Sequence, residues 1–190
     1  MQKKVYYKDS YMSYKINCDD RNPCYLGILS CLLTHLNYSI NRFYEPIGYH
    51  IRIRPKNGID NRSITDRLNK FYSKPNKHRK KAHTFDPVWV KVQEMDPDQD
   101  GYHMHLAVIL DLNKAKRISL DYFCSNLLKN NIIDSYLVIE PDLPTDRKGV
   151  LLKNEGGFAR YFYWLSYIAK SRTKEFTPQT FSSSRLDKAS

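Results

Sequence analysis

Cysteines and long apolar runs are scarce in this sequence, and each shortage excludes a class of protein. Four of the 190 residues are cysteine, with no C-x-x-C pair and no spacing typical of a zinc site. We therefore expect Cys18, Cys24, Cys31 and Cys124 to be reduced thiols in a reducing compartment. The amino terminus has no apolar signal core, and the longest apolar stretch, 26–33, is too short to cross a bilayer. These features predict a soluble, cytoplasmic protein.

Acidic residues are also in deficit. The chain has 31 lysines and arginines against 20 aspartates and glutamates, which gives a formal net charge of +11. Such an excess favours a polyanionic partner, and DNA, RNA and an anionic membrane all qualify. No basic amphipathic helix supports the membrane alternative. The 15 tyrosines are either stacking platforms for unpaired bases or ordinary packing residues.

Hydrophobic periodicity and turn residues predict an α+β fold. Helices are expected at about 22–41, 63–73, 118–129 and 158–172, and strands at 46–54, 88–95, 102–111 and 135–140. Asn22 and Pro23 are interpreted as the cap and first residue of the first helix. From Pro46 onward the order matches the βαββαβ series of ferredoxin-like folds, an antiparallel sheet with helices on one face. The expected parts are an N-terminal extension (1–45), a main domain (46–172) and a flexible tail (173–190).

Basic side chains are concentrated in two segments of the main domain. One is the first predicted strand of that domain, and the other is a run between 74 and 83, which is equally typical of a solvated loop and of a phosphate-contacting loop. The candidate DNA-binding residues are Arg52, Arg54, Lys77, Arg79, Lys80 and Lys81.

A histidine pair in the strand at 102–111 is the first candidate site. His103 and His105 are two residues apart, so both imidazoles project from the same face of the strand. The opposite face carries an unbroken apolar row suited to the core: Met104, Leu106, Val108 and Leu110. Glu94, at the end of the preceding strand, could complete a two-histidine, one-carboxylate site for Mg²⁺ or Mn²⁺. The hairpin register, which the sequence leaves open, decides whether Glu94 shares the histidine face.

Two other interpretations apply to the same segment. The histidines could simply be hydrogen-bonded on a half-exposed sheet. Asp96, Asp98, Asp100 and Gly101 match the first half of a calcium-binding loop. However, the twelfth position, where a bidentate glutamate is needed, is Ala107, and strands rather than helices flank the segment.

The last predicted helix carries the second candidate site. Tyr163, Tyr167 and Lys170 are spaced to share one helical face. The opposite stripe is apolar and is expected to pack: Phe158, Tyr161, Phe162, Leu165 and Ile168. A tyrosine oxygen can attack a metal-polarised phosphodiester to leave a 5′-phosphotyrosine, and a nearby lysine can stabilise the phosphate charge. The alternative is an amphipathic helix with two exposed tyrosines.

These two motifs resemble those of a known family. GYHMHLAVIL at 101–110 resembles the HUH motif of rolling-circle replication initiators, and YWLSYIAK at 163–170 resembles the Y-x-x-x-Y-x-x-K motif of their two-tyrosine class. VWVKVQE at 88–94 and RTKE at 172–175 look like the inovirus replication protein and YagK/YfjJ C-terminal domain family. The resemblance covers about residues 46–185.

The resemblance implies a metal-dependent HUH endonuclease and DNA strand transferase that initiates rolling-circle replication of a phage or mobile element in a bacterial host cell. It implies that His103, His105 and Glu94 are metal ligands, that Tyr163 and Tyr167 are nucleophiles, and that Lys170 assists them. The expected partners are single-stranded or hairpin origin DNA together with a host helicase and the replication machinery. The alternative function is that of a non-cleaving origin-binding or copy-control protein.

Overall fold

The computed structural model of the chain has an α+β fold and describes residues 4–73, 86–95, 102–115, 120–139, 149–171 and 181–187. The strands are β1 (Val5–Tyr6), β2 (Ser10–Tyr11), β3 (Tyr14–Lys15), β4 (Cys24–Tyr25), β5 (Pro46–Pro55), β6 (Val88–Met95), β7 (Tyr102–Asp111), β8 (Ile133–Ile139), β9 (Val150–Leu151) and β10 (Phe181–Ser183). The helices are α1 (Leu26–Arg42), α2 (Asn61–Ser73), α3 (Leu112–Ala115), α4 (Leu120–Lys129) and α5 (Gly157–Ser166), and a 3₁₀ turn (Tyr167–Ala169) follows α5. In the described ranges, no helix combines the length and apolar character needed to traverse a lipid bilayer.

The central sheet has six strands. Five of them lie in the order β10-β6-β7-β5-β8, and β9 pairs with the other end of β5. All of these pairings are antiparallel. In the sheet, β7 lies between β5 and β6, and β5 lies between β7 and β8. Along the chain, α2 lies between the parallel strands β5 and β6, and α4 lies between the parallel strands β7 and β8. Neither pair of strands is adjacent in the sheet. The long strands β5 and β7 therefore lie in the middle of the sheet.

One face of the sheet packs against α2 and α4. The predicted apolar row of β7 lies on this face, and all four of its side chains are buried, which confirms that part of the sequence prediction. The same cluster includes Ile64 and Leu68 from α2 and Phe123 and Leu127 from α4. Burial of these aliphatic side chains fixes which face of β7 is turned away from α2 and α4, and that second face carries the histidines.

The histidine face is covered as well. Val90 and Val92 of β6 and Ala107 and Ile109 of β7 are buried there under α1 and α5. The sequence analysis expected helices on one face for the βαββαβ series, and α2 and α4 lie on one face, whereas α1 and α5, outside that series, cover the other. The second face needs a cover because Val90, Val92, Ala107 and Ile109 form an apolar surface beside the histidines.

The N-terminal segment differs from its prediction. Helix α1 begins at Leu26, several residues after Asn22, which instead closes a turn with Asp19. This turn brings Cys18 and Cys24 together in a disulfide, with their Cα atoms 6.0 Å apart. The expectation of reduced thiols is wrong for these two cysteines, because spacing alone does not reveal that the turn folds back. Cys31 and Cys124 are free.

The C-terminal elements also depart from the sequence expectation. Helix α5 ends at Ser166 rather than near residue 172, and the chain tightens into the 3₁₀ turn. Ser166 Oγ donates to the carbonyl of Tyr163 and accepts from the amide of Asn17, so its hydroxyl competes with regular helix bonding. The sequence predicts a flexible tail from residue 173 onward. Phe181–Ser183 differ from this prediction, because they pair with β6 as an edge strand.

Helix α5 packs closely on β5 at Gly48, and this contact predicts a large effect of adding one methyl group. A Cβ at Gly48 would overlap the ring of Tyr161. We expect Gly48→Ala to lower the free energy of unfolding by about 1–3 kcal/mol, measured by urea denaturation. The control is Gly27→Ala in α1, where a Cβ meets Phe181 at an ordinary 3.8 Å and helix propensity favours alanine. Equal stability of the two variants would contradict the close packing of α5 on β5.

Candidate metal centre

The register of the β6–β7 hairpin, which the sequence leaves open, places Glu94 directly opposite His103. His105 lies opposite Val92 on the same ladder. Residues that face each other across antiparallel strands project to the same side, as do residues two apart on one strand. Glu94, His103 and His105 therefore project together from one face of the sheet, near the last residue of β6 and the first residue of β7.

The three side chains converge on a single point. The Nε2 atoms of His103 and His105 are 3.1 Å apart, and Glu94 Oε2 lies 3.4 Å from each of them. The centre of a triangle of this size is about 1.9 Å from each corner, slightly less than the usual metal–nitrogen and metal–oxygen bond lengths. The spacing therefore fits a divalent ion, which Glu94 would hold through a carboxylate oxygen and the two histidines through their imidazole nitrogens.

Burial gives a second reason to treat this group as a metal centre. Glu94 is 3% exposed and His105 is 4% exposed. A carboxylate removed from water to this degree needs a positive charge or hydrogen-bond donors close to it. Glu94, His103 and His105 therefore form a buried group that could bind a metal ion. The calcium-loop alternative falls on residues 96–101, which lie outside the described residues.

A third histidine, which the sequence analysis missed, contacts this group. His50 Nε2 lies 2.8 Å from His105 Nδ1, on the side of the His105 ring opposite to Glu94. Burial, followed by the neighbouring His105, lowers the pKa of His50 to about 3, although the Glu94 carboxylate acts in the opposite direction. His50 is therefore neutral at physiological pH. The position of His50 in the alternating apolar and polar pattern of β5 was a signal already present in the sequence. The pairing of β5 with β7 was needed to show that His50 lies next to His105.

The candidate nucleophiles Tyr163 and Tyr167 are both partly exposed, at 40% and 43%. The ring of Tyr167 lies 6.3 Å from that of His105, centroid to centroid. Lys170 Nζ lies 5.3 Å from the Tyr167 ring centroid. The structure therefore brings one of the two predicted tyrosines, together with the predicted lysine, to the histidine group.

Tyr163 has a different environment. Its ring lies 5.9 Å from Nζ of Lys15, a residue of β3 in the N-terminal segment. Helix α5 ends between the two tyrosines, and Tyr167 is the first residue of the 3₁₀ turn. Each tyrosine nevertheless has its own nearby lysine, and Lys15 was not among the sequence candidates.

The N-terminal segment also holds the end of the tyrosine helix in place. Cys24 forms an antiparallel bridge with Lys170, and the amide of Ser171 donates to the carbonyl of Pro23 over 2.8 Å. The Asn17 amide donates to Ser166 over 2.6 Å. The sequence indicated only one helix in the N-terminal extension, and the described part of that extension, 4–45, thus positions the backbone at Tyr167 and Lys170.

A third tyrosine of α5, Tyr161, lies on the buried side of the helix, unlike Tyr163 and Tyr167. Tyr161 is fully buried and donates its hydroxyl to the carbonyl of Tyr49 over 2.7 Å. Burial raises the pKa of Tyr161 well above its ordinary value, so it stays protonated. Beside it, Trp164 packs against His50, with ring centroids 5.0 Å apart and planes at 74°. The core stripe of α5 is therefore packing surface, as predicted.

The candidate DNA-binding residues divide into two groups. Arg52 is exposed and lies directly opposite His105 on the β5–β7 ladder, which places both on the histidine face. Arg54 is two residues further along the same face and is partly exposed. The other four candidates lie outside the described residues: Lys77, Arg79, Lys80 and Lys81.

Comparison of the chain with models of protein families, with curated proteins and with solved structures finds no match.

Proposed function

We propose that this protein is a metal-dependent endonuclease of the HUH type, which nicks single-stranded DNA and retains the cut strand as a 5′-phosphotyrosine. The observation that carries the proposal is the contact between two motifs about sixty residues apart. The ring of Tyr167 lies beside His105, one of three side chains whose ligand atoms meet within 3.4 Å. A hydrogen-bonded histidine pair alone would not require an exposed phenol and an ammonium group next to it.

The chemistry assigned to these residues is a transesterification. The phenolic oxygen of Tyr167 attacks the phosphorus, a Tyr–O–P bond forms, and the P–O3′ bond breaks. The phenol loses its proton and the departing 3′-oxygen gains one, which leaves a free 3′-hydroxyl. A divalent ion held by Glu94, His103 and His105 would supply Lewis-acid polarisation of a phosphate oxygen. Lys170 stabilises the negative charge on the phosphate beside Tyr167.

The second tyrosine permits strand transfer. A phosphotyrosine retains a reactive ester, so a 3′-hydroxyl can attack it and release Tyr167. Tyr163, one turn earlier and next to Lys15, would then accept a second cut strand. Two phenols, each with its own lysine, suit two successive cleavages better than one.

The architecture agrees with this proposal. We assign the βαββαβ part of the chain to the ferredoxin-like arrangement expected from the sequence. Support comes from the order β8-β5-β7-β6, in which the first and third strands are central, and from the position of α2 and α4 on a common face. In this arrangement the two central strands supply His50, His103 and His105.

Several features favour DNA as the substrate. The net charge of +11 favours a polyanion, and Arg52 and Arg54 lie on the histidine face, where a phosphate backbone would pass. Exposed Tyr163 and Tyr167 also offer rings on which unpaired bases can stack. We further propose that the nick initiates rolling-circle replication of a phage or mobile element, with unwinding by a host helicase.

The experiment that tests this function uses one oligonucleotide labelled at either end, the full chain and Mn²⁺. With the 3′ label we expect a labelled protein adduct on a denaturing gel, and with the 5′ label a shorter free fragment with a 3′-hydroxyl. Chelation by EDTA should abolish both products. Single-stranded DNA and a hairpin should both be tested, because the origin sequence is not specified.

Two outcomes would count against the proposal. An adduct on the 5′-labelled fragment would mean attachment to the 3′ end and a different chemistry. Tight DNA binding without any adduct, over a range of sequences and with Mg²⁺ or Mn²⁺, would favour the alternative of a non-cleaving origin-binding or copy-control protein.

A further inference from the structure

His50 is buried in a way that packing alone does not explain. It is 2% exposed, and its Nδ1 atom has no hydrogen-bond partner among the residues that the structure describes. Its ring packs against the indole of Trp164. An apolar ring of the same size would fill this space without leaving a buried polar atom unpaired. The side-chain hydrogen bond between His50 Nε2 and His105 Nδ1, 2.8 Å long, is therefore the feature that an apolar replacement would lose.

The positions of the protons follow from this bond. A neutral imidazole has one N–H and one lone pair on its two nitrogens. If Nε2 of His105 uses its lone pair to bind an ion, Nδ1 of His105 must carry the proton and donate it. The partner atom, Nε2 of His50, must then be the acceptor. One arrangement of protons is compatible with both this bond and metal binding: it places the His50 proton on Nδ1 and leaves the lone pair of His105 Nε2 directed at Glu94 and His103.

We propose that His50 is a positioning residue for the metal centre. Its Nε2 accepts the Nδ1 proton of His105, selects the tautomer of His105 that binds a divalent cation, and fixes the plane of that ring. Trp164 holds the His50 ring in place from α5. This inference rests on the metal-binding part of the proposed function. Partners of this kind, behind a ligand histidine, commonly change metal affinity by about 10–100-fold.

The test compares side chains that differ in one property at position 50. His50→Gln has an oxygen that reaches about as far as Nε2, so it keeps the acceptor, whereas His50→Asn ends too early. His50→Phe keeps the ring against Trp164 but has no acceptor. We expect Mn²⁺ affinity, measured by calorimetry on the full chain, to fall about 10–100-fold in His50→Phe and His50→Asn. In His50→Gln it should stay within about threefold of the unaltered protein.

Unfolding midpoints of the metal-free proteins show whether each variant folds. If His50→Phe does not fold, the comparison of His50→Gln with His50→Asn decides the question. Equal Mn²⁺ affinity in these two variants, or unchanged affinity in a folded His50→Phe, would overturn the positioning role of His50 while leaving the metal centre intact. An unaltered protein that binds no Mn²⁺ would instead refute the metal centre itself, and the role of His50 with it.

Discussion

Tyr167→Phe is expected to abolish formation of the covalent protein–DNA adduct. The substitution removes only the phenolic oxygen and keeps the ring beside His105 and Lys170. Loss of the group that forms the bond should lower the rate of first cleavage by about 10³-fold or more. The measurement is the rate of adduct appearance on 3′-labelled single-stranded DNA with Mn²⁺, under single-turnover conditions.

Tyr163→Phe is the matched comparison, because it removes the same atom from an equally exposed ring one turn away. We expect this variant to cleave within about tenfold of the unaltered rate but to lose the second step, in which a transferred strand is joined and a new adduct forms. These two predictions assign the first cleavage to Tyr167 and the second to Tyr163. The reverse pattern, with first cleavage lost in Tyr163→Phe and retained in Tyr167→Phe, would refute that order.

A third tyrosine tests whether loss of a hydroxyl on α5 is harmful in general. Tyr161→Phe deletes the hydrogen bond to Tyr49 but touches neither the histidines nor a solvent-exposed surface. It should lower stability by about 1 kcal/mol and leave the adduct yield unchanged. If both Tyr163→Phe and Tyr167→Phe together still form an adduct, the nucleophile lies elsewhere.

His105→Ala should separate binding from cleavage. Its Nε2 is one of the three atoms that converge at 3.1–3.4 Å, and the other two cannot enclose an ion alone. We expect Mn²⁺ affinity to fall by about 10²-fold or more, the upper end of what loss of a supporting partner costs. Cleavage should disappear, while affinity for single-stranded DNA in EDTA should change by less than about threefold, since Arg52 and Arg54 remain.

Glu94→Gln provides a milder change at the same centre. It keeps the size of the side chain and removes its negative charge, so it should weaken Mn²⁺ binding while allowing the fold to form. In the unaltered protein, Mn²⁺ at about 100 times its Kd should stabilise the fold by about 2.7 kcal/mol, seen as a higher unfolding temperature.

Two outcomes would contradict these assignments. Equal loss of DNA binding and of cleavage in His105→Ala would identify His105 as a structural residue. Full retention of the Mn²⁺ effect in Glu94→Gln would remove Glu94 from the ligand set.

Local pattern was sufficient to predict much of this molecule. The strands at 88–95 and 102–111 were predicted with the bounds that the structure has, because period-two alternation and turn residues are read within a few positions. The shared side of His103 and His105 follows from the geometry of a strand, and the buried stripe of α5 follows from helical spacing. These properties depend on neighbours in the sequence alone.

Long-range contacts account for the differences. The start of α1 moved because the turn at Asp19 and Asn22 is part of a segment that packs on Lys170 and Ser171. The end of α5 moved because the hydroxyl of Ser166 meets the amide of Asn17, 149 residues earlier. Neither contact can be predicted from the hydrophobic periodicity or the turn residues of the segments involved.

The candidate site divides in the same way. By itself the sequence determined the residue types, their spacing within each element and the side of the strand on which the histidines lie. Only the tertiary structure decided that Glu94 faces His103, that Tyr167 lies beside His105, and that His50 supports His105 from behind. The reason is that hairpin register and helix docking are selected by burial of apolar side chains over the whole sheet, a sum of distant contacts that no local stretch of sequence contains.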